Sequence, residues 1–385
     1  MTFQRETIEK IYGGSFVDDN AVRILYKGKE SFDAIFRGIE HARHVVCLHF
    51  YIFRNDETGR ELAGILRKKA EEGVRIYVLY DHFGSFGTPK AFWNELRDAG
   101  IRIRASRPFR WSSPFHYAHR DHRKLVIIDG IRAFTGGLNI ANEYRGFHLR
   151  MRHTAWRDTG IFVEGPVARE LFLRFVKTWQ TWRGEPIDVL EIPGSSAVHD
   201  RARGLPVITI FASSSKGRRK MRKLLYYSIN HARRSVLLTT AYFTPSRRML
   251  DSLEEAVKRG VEVKLLLPGK SDVPAAYHTG RAFFTRLLKA GVRIFTYQGE
   301  VLHAKSYVFD GCWSIVGSAN LDFQSLRWND EGNVGILDEG FGREMTEVFA
   351  EDAVHSFEII EKVWRQRPFL ERVKERFFVL FRRRL

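Results

Sequence analysis

An α/β protein built from two copies of one unit is what this sequence predicts, on three observations. Strand-like and helix-like stretches alternate in each half. A set of polar residues occurs twice in one register, about 180 residues apart. Short phrases around those residues recur in the same order. Gly73-Val74-Arg75-Ile76 matches Gly260-Val261-Glu262-Val263, and Ala99-Gly100-Ile101-Arg102-Ile103 matches Ala290-Gly291-Val292-Arg293-Ile294. The duplicated unit is ~180 residues long, which excludes a short solenoid repeat.

The elements follow in order. Residues 1–22 read as a short irregular or weakly helical lead. Phe32, Ile35, Phe36 and Ile39 share a face and predict a helix over 31–43. A buried strand over 45–53 follows. Leu62, Ile65 and Leu66 form the stripe of a second helix, over 58–73, with Gly73 as its stop. A strand over 74–80, a helix over 90–99 and a strand over 101–104 precede the first motif strand, 124–129, which turns at Asp129-Gly130. After it come a strand over 161–163 and a helix opened by Gly165-Pro166. Residues 183 to about 206 carry Gly, Pro and Ser without periodicity and read as a linker. The second half repeats the plan: helix 220–234, strand 236–243, helix 247–260, strand 261–267, helix 277–290, strand 292–297, then the second motif. The sheet is expected to be mostly parallel or mixed. The expected organisation is a lead (1–22), a first domain (23–183), a linker (184–206), a second domain (207–366) and a basic amphipathic tail (367–385).

The repeated residues are His122, Lys124, Asp129, Gly136-Gly137 and Asn139 in the first copy. In the second they are His303, Lys305, Asp310, Gly317-Ser318 and Asn320. In both, His to Lys is two positions, His to Asp seven and His to Asn seventeen. Strand alternation puts His122 and Lys124 on one face. A lysine offers a point charge to phosphate oxygens, an asparagine an amide donor, and a histidine can attack phosphorus or carry a proton near neutral pH. The pattern therefore suits phosphate ester chemistry. Asp129 and Asp310 each precede a glycine at a strand end and read as turn acids rather than proton carriers.

The formal net charge of +18 calls for an anionic partner, a lipid surface or nucleic acid. No apolar run reaches the ~18 residues of a spanning helix, and the first residues lack the apolar core of a signal peptide. Cys47 and Cys312 lie in separate halves and form neither a disulfide framework nor a metal spacing, which fits a reducing compartment. Leu370, Val373, Phe377, Leu380 and Phe381 fall at helical spacing among Arg372, Lys374, Arg376 and Arg382–Arg384. That tail reads either as a basic interfacial helix or as a helix packed on the core. Residues 107–123 interleave Phe109, Trp111, Phe115 and Tyr117 with Arg107, Arg110 and Arg120, a composition that suits a lipid headgroup layer, base stacking or a cap on the core.

At the two motifs the sequence resembles the phospholipase D superfamily, marked by H-x-K-x4-D and G-G/S-x-N. Tyr51-Ile52-Phe53 with Asp56 and Gly59, Tyr242-Phe243-Thr244-Pro245, and Leu266-Leu267-Pro268 with Asp272 resemble blocks of its bacterial cardiolipin synthase branch. The resemblance runs from about Arg23 to about Trp364. It departs at Asp121 (Asn is usual), Gln324 (Arg is frequent) and Gly160 (His is common).

The resemblance implies two tandem α/β/α sandwich domains related by a pseudo-twofold axis, sharing one active site. It implies catalytic roles for His122, Lys124, Asp129, His303, Lys305 and Asp310, with Asn139, Asn320 and Ser318 supporting. Asp158 and Glu331 match the acids that orient the histidines. The implied reaction moves a phosphatidyl group between phospholipids through a phosphohistidine, turning two phosphatidylglycerols into cardiolipin and glycerol. His122 is the implied nucleophile, although the residues themselves are symmetric on this point. No cofactor is implied, and with no metal-ligand spacing in the sequence metal independence is expected. The implied setting is peripheral, on the cytoplasmic face of a bacterial cell membrane, with anionic phospholipid as substrate and surface and no nucleic acid. The competing reading is a phospholipase D-type hydrolase of lipid or, less in keeping with two motifs in one chain, nucleic acid. A non-enzymatic surface binder is disfavoured because both motifs are intact.

Overall fold

The computed structural model describes residues 2–109, 119–146, 155–189, 192 and 204–382. The first half supplies strands β1 (Val17–Leu25), β2 (Val45–Phe50), β3 (Arg75–Asp81), β4 (Arg102–Ser106), β5 (Leu125–Ile128), β6 (Arg132–Gly136) and β7 (Gly160–Glu164). The second supplies β8 (Leu205–Ala212), β9 (Ser235–Thr240), β10 (Glu262–Pro268), β11 (Arg293–Tyr297), β12 (Lys305–Phe309), β13 (Trp313–Gly317), β14 (Glu331–Leu337) and β15 (Ser356–Glu358).

All fifteen join one sheet, ordered β15-β11-β10-β9-β12-β13-β14-β8-β1-β7-β6-β5-β2-β3-β4. Read outward from the β8–β1 pair, the two halves have one order, and β15 extends one edge. The sheet is mixed. β2, β3 and β4 are parallel, as are β9, β10 and β11, and the central strands are antiparallel. The two units are thus tandem α/β layers, as expected, but their sheets are continuous through β1 and β8.

Neither strand was expected: β1 begins within the expected lead, and β8 spans the end of the expected linker and the start of the second domain. β1 carries Asp18, Asp19, Asn20 and Arg23, so its alternation is broken and its strand character hidden. It is recruited by pairing with β7 on one side and β8 on the other. The lead also contains a helix, Arg5–Tyr12, which buries Ile8 and Tyr12 with Phe3 and Phe16 in the core of the second half. The expected helix over 277–290 is two helices, Pro274–Arg281 and Phe284–Lys289, separated by a turn in which Phe283 N–H donates to Gly280 O at 3.1 Å.

Three apolar layers hold the molecule. One outer core packs the helices Gly28–Glu40 and Glu57–Glu71 on the first half, through Phe32, Phe36, Leu62 and Leu66. Another packs Ser215–His231 and Arg247–Lys258 on the second, through Leu224, Leu225, Leu250 and Leu253. The middle layer belongs to both halves. Val45, Ile127 and Ile161 share it with Val308, Val316 and Val334, and the helices Pro166–Thr181 and Glu339–Val354 fill it with Phe172, Phe175, Trp179, Phe341 and Met345. Burial of this shared apolar surface joins the halves. Cys47 and Cys312 are buried free thiols. No helix among the described residues is long and apolar enough to cross a membrane.

The motif hairpins show why Asp-Gly recurs. Asp129 and Gly130 have φ of 52° and 65°, and Asp310 and Gly311 have 54° and 62°, the positive values a tight hairpin turn requires. Each aspartate then clamps a neighbouring strand start. Asp129 accepts from Arg43, His44 and Val45 N–H at 2.7–2.9 Å, and Asp310 from Arg233, Arg234 and Ser235 N–H at 2.7–3.1 Å.

Burial works against the Asp310 carboxylate, but these donors prevail and hold its pKa below the ordinary value. Its stabilisation is therefore present at neutral pH and lost as pH falls through the acid range. Asp310→Ala is expected to lower the unfolding free energy by about 1–3 kcal/mol at pH 7 in urea titrations, with the gap to wild type closing in acid. A gap that stays constant down to pH 3 would contradict this clamp.

Candidate active site

β5 and β12 begin directly after the polar part of each motif, so the histidines stand at the strand entrances. Each entrance is tied to the other half by a two-bond backbone bridge. His122 N–H donates to Asp330 O at 2.8 Å, and Asp330 N–H returns a bond to Arg120 O at 2.8 Å. His303 N–H donates to Arg157 O at 2.7 Å, and Arg157 N–H returns one to Val301 O at 2.9 Å. Arg157 and Asp330 immediately precede Asp158 and Glu331, so the bridges carry each acid to the histidine of the opposite half.

The side chains complete this crossing. Asp158 Oδ2 lies 2.7 Å from His303 Nδ1, and Glu331 Oε2 lies 3.4 Å from His122 Nδ1. His122 Nδ1 also lies 3.3 Å from the Ser318 carbonyl oxygen, within the second motif. A carboxylate at Nδ1 makes that nitrogen the proton donor and leaves Nε2 with the lone pair. The two acids are held differently. A Cβ added to Gly137 would lie 2.0 Å from Asp158 Oδ1, so Gly137 is the cradle of Asp158. At the matching position Ser318 instead donates its hydroxyl to Glu331 and accepts from Gly332 N–H at 3.0 Å. A short acid opposite glycine and a longer acid bonded to serine solve one packing problem in two ways.

His122, Lys124, His303 and Lys305 are all buried. Desolvation, reinforced by Lys124, lowers the pKa of His122 against the pull of Glu331. Desolvation and Lys305 push His303 down to about 4, against its bond to Asp158. Burial likewise pushes Lys124 down to about 7 and Lys305 to about 8. Lys124 Nζ donates to His122 O at 2.5 Å and sits 5.3 Å over the Tyr51 ring. Lys305 Nζ donates to the His303 carbonyl oxygen and stands 2.7 Å from Nδ1 of that ring.

Asn139 and Asn320 hold the loops that roof the site. Asn139 Oδ1 accepts from Ile52 N–H at 3.0 Å and its amide donates to the Tyr144 hydroxyl at 2.8 Å, while Asn320 Oδ1 accepts from Tyr242 N–H at 3.4 Å. Aromatic rings wall the histidines: Tyr51 lies 4.8 Å from His122, and Tyr144, Trp156 and Tyr242 lie 5.2, 5.6 and 6.1 Å from His303. Tyr242 also donates its hydroxyl to Asp272 at 2.7 Å. Sequence reading left Tyr144 unnoticed, although it lies five positions after Asn139 and its counterpart in register is Ser325. Trp156 was visible only as a flank of Asp158.

One sequence expectation needs correction. Asp129 and Asp310, grouped by the signature with the catalytic residues, sit at the far ends of β5 and β12 on backbone N–H groups, away from the histidines. The departure at Asp121 also reaches the site's support. Asp121 is fully buried, bonded by Arg123 at 2.6 and 2.7 Å and lying 3.0 Å from His49 Nε2, and this pairing keeps its pKa well below the carboxylate range. Arg110, Trp111, Phe115 and Tyr117 lie outside the described residues, as does most of the expected linker.

The family model "Cardiolipin synthase, PLD-like domain" matches residues 35–153 and 225–353, one segment per half. The chain belongs to that family. A cardiolipin synthase A of Pseudomonas putida is 36% identical over 342 residues, covering 89% of this chain and 70% of the relative. A cardiolipin synthase of Geobacillus sp. is 34% identical over 357 residues, covering 92% and 70%. Among solved structures, the phosphatidylserine synthase of Haemophilus influenzae aligns over 99% of this chain and 100% of its own, with a TM-score of 0.76 at 14% identity. The polyphosphate kinase of Porphyromonas gingivalis aligns over 86% of this chain and 50% of its own, with a TM-score of 0.55 at 14% identity. Both likenesses speak to the fold.

Two outcomes follow from this geometry. Asp158→Asn is expected to cut turnover by roughly 10²–10⁴ while leaving the thermal midpoint nearly unchanged, and Glu331→Gln to cut it less, because its pair is longer; equal losses would refute the ranking. With the lysines depressed by burial, kcat/KM for a monomeric phosphodiester lipid is expected to fall as pH rises through about 7 to 8. A limb near the ordinary lysine value would show that their charge survives burial.

Proposed function

We propose that this chain is a phosphatidyltransferase that uses phosphatidylglycerol as donor and acceptor, producing cardiolipin and glycerol. The observation that supports it most is the crossed pairing. Two buried histidines, each oriented through Nδ1 by an acid of the other half, are joined by two lysines in a member of the cardiolipin synthase family.

In this reading His122 Nε2 attacks the phosphorus of the first phosphatidylglycerol. The bond from phosphorus to the terminal glycerol oxygen breaks, and that oxygen takes a proton from Nε2 of protonated His303, so glycerol leaves. A hydroxyl of the second lipid then gives its proton back to His303 and attacks phosphorus, the P–N bond breaks, and cardiolipin forms with both histidines restored. Lys124 and Lys305 bind the non-bridging oxygens. The phosphate charge offsets the lysine charge that depresses His303, and the tight Asp158 pair stabilises its protonated ring. Analogy with the superfamily assigns attack to His122, and the looser Glu331 contact leaves that ring to gain its carboxylate partner as charge develops.

The setting proposed is an anionic membrane surface, peripheral and cytoplasmic. A charge of +18 favours it. So does the tail helix, Phe369–Val379, which docks through buried Glu375, paired with Arg367 at 2.6 Å and Arg281 at 3.5 Å, while Phe369, Leu370, Val373 and Phe377 stay exposed. The tail therefore both packs on the core and presents an apolar face. Phospholipid, rather than nucleic acid, is the proposed partner.

Lipid products after incubation with phosphatidylglycerol vesicles and a chelator test the reaction by mass spectrometry. Cardiolipin and glycerol are expected from wild type and neither from His122→Ala or His303→Ala. Phosphatidic acid alone would make the enzyme a hydrolase. Wild type quenched in alkaline denaturant, which preserves the P–N bond, is expected to carry its phosphatidyl group on the His122 peptide, and recovery on the His303 peptide would reverse the two roles. Leu370→Glu with Phe377→Glu is expected to weaken sedimentation with anionic vesicles, and unchanged sedimentation would leave the tail a packing element only.

A further inference from the structure

Outside the histidine pair, the second half carries a concavity of about 510 Å³ lined by Arg219, Arg222, Lys223, Arg247, Arg248 and Arg327, with Arg382 of the tail at its edge. Three of these share a face of the helix Ser215–His231, two open the helix Arg247–Lys258, and Arg327 closes the short helix Phe323–Arg327. Among the described residues, no carboxylate lines it. Among the described residues, none of the seven cations forms an ion pair. Other arginines on this half are matched: Arg286 with Asp251 and Glu254, Arg293 with Glu262 and Glu358, and Arg367 with Glu375.

Three of the cations are also held in place. Arg222 donates to the Leu326 carbonyl oxygen, Arg248 lies 4.5 Å over the Tyr226 ring, and Arg327 lies 5.2 Å over the Phe323 ring. Burial and the charges of Arg327, Arg218 and Arg219 disfavour the charged form of Arg222, so the cluster repels itself and an anion relieves it. Tyr226 and Ser246, 3.1 Å apart, add hydroxyls suited to phosphate oxygens. The neighbouring surface is apolar. Leu380 is 77% exposed and Phe381 45%, and the next residue, Arg382, is in the pocket wall. Unpaired cations beside exposed apolar side chains match the two parts of an anionic lipid, whereas free phosphate uses only the first and nucleic acid would favour stacking faces over an aliphatic stripe.

We propose that this concavity is a second phosphate site, separate from the histidine pair, which holds the headgroup of an anionic phospholipid while the apolar face of the tail enters the same leaflet. It rests on the lipid reading above and adds a docking point that orients the protein on the membrane. The pocket is beside the loops 242–245 and 320–323, whose other ends bear Tyr242 and Asn320 of the catalytic site, so a lipid held here places the catalytic entrance close to the bilayer.

The test compares the full-length wild type with the triple variant Arg219→Ala, Lys223→Ala, Arg248→Ala, all exposed positions. Sedimentation uses phosphatidylcholine vesicles with and without 20 mol% phosphatidylglycerol, at roughly 0.1 M salt where surface charge still acts. The variant is expected to lose about tenfold or more of its affinity for the anionic vesicles, with the thermal midpoint and turnover of a monomeric short-chain phosphatidylglycerol within about twofold of wild type. Equal vesicle affinity overturns the proposal. So does a calorimetric titration in which inorganic phosphate binding is lost while vesicle binding stays, which makes the ligand free phosphate. Loss of oligonucleotide binding in place of vesicle binding overturns it in favour of nucleic acid, and an equal fall in monomer turnover assigns the pocket to the catalytic cleft. Vesicle binding is read without turnover, so a wild type that makes no cardiolipin would count against the transferase reading and leave this one to its own result.

Discussion

Everything in this molecule depends on each histidine receiving its carboxylate from the other half. The backbone bridges at Asp330 and Arg157 and the pairs His122–Glu331 and His303–Asp158 are one interlocked unit. Neither motif histidine is paired with an acid of its own half. The apolar layer shared by both halves, and the sheet joined through β1 and β8, keep those crossings in register. A shift of either half would break four backbone bonds and two buried acid–histidine pairs together.

Burial governs the chemistry of the site. It disfavours charge on both histidines and both lysines, so in the free protein the rings are held neutral and Nε2 keeps its lone pair. In the proposed reaction a bound phosphodiester would bring negative charge to the two lysines. The same desolvation that weakens the lysines as free cations would then strengthen their attraction to that substrate. The unequal supports of the two acids, Gly137 against Ser318, show that the two halves have separated in detail while keeping one geometry.

Charge is partitioned across the rest of the protein. Inside, it is paired: Asp121 with Arg123 and His49, Arg157 with Asp352, Glu375 with Arg367. In the basic concavity of the second half, the cations among the described residues form no ion pair and lie near exposed apolar side chains of the tail. The buried pairs hold the site in shape, and the unpaired cations suit the anionic partner proposed for that face.

The sequence by itself determined the duplication, the motif residues and the chemistry they suit, because those are written as residue type and spacing. The spacing of His122, Lys124 and Asn139 is repeated at His303, Lys305 and Asn320, and Asp129-Gly130 and Asp310-Gly311 announce their turns locally. Asp158 and Glu331 were found by resemblance, but their exchange between halves was not, since no local pattern records which histidine lies opposite which acid. β1 and β8 escaped notice for a related reason. β1 has no regular alternation, and both strands are defined by the neighbours they pair with. The walls of the site, Tyr144 and Trp156, and the basic concavity gathered from three helices and the tail, exist only after folding. Proximity between residues far apart in the chain is set by the joining of the two halves through one sheet and a shared apolar layer, and that was decided by the tertiary structure alone.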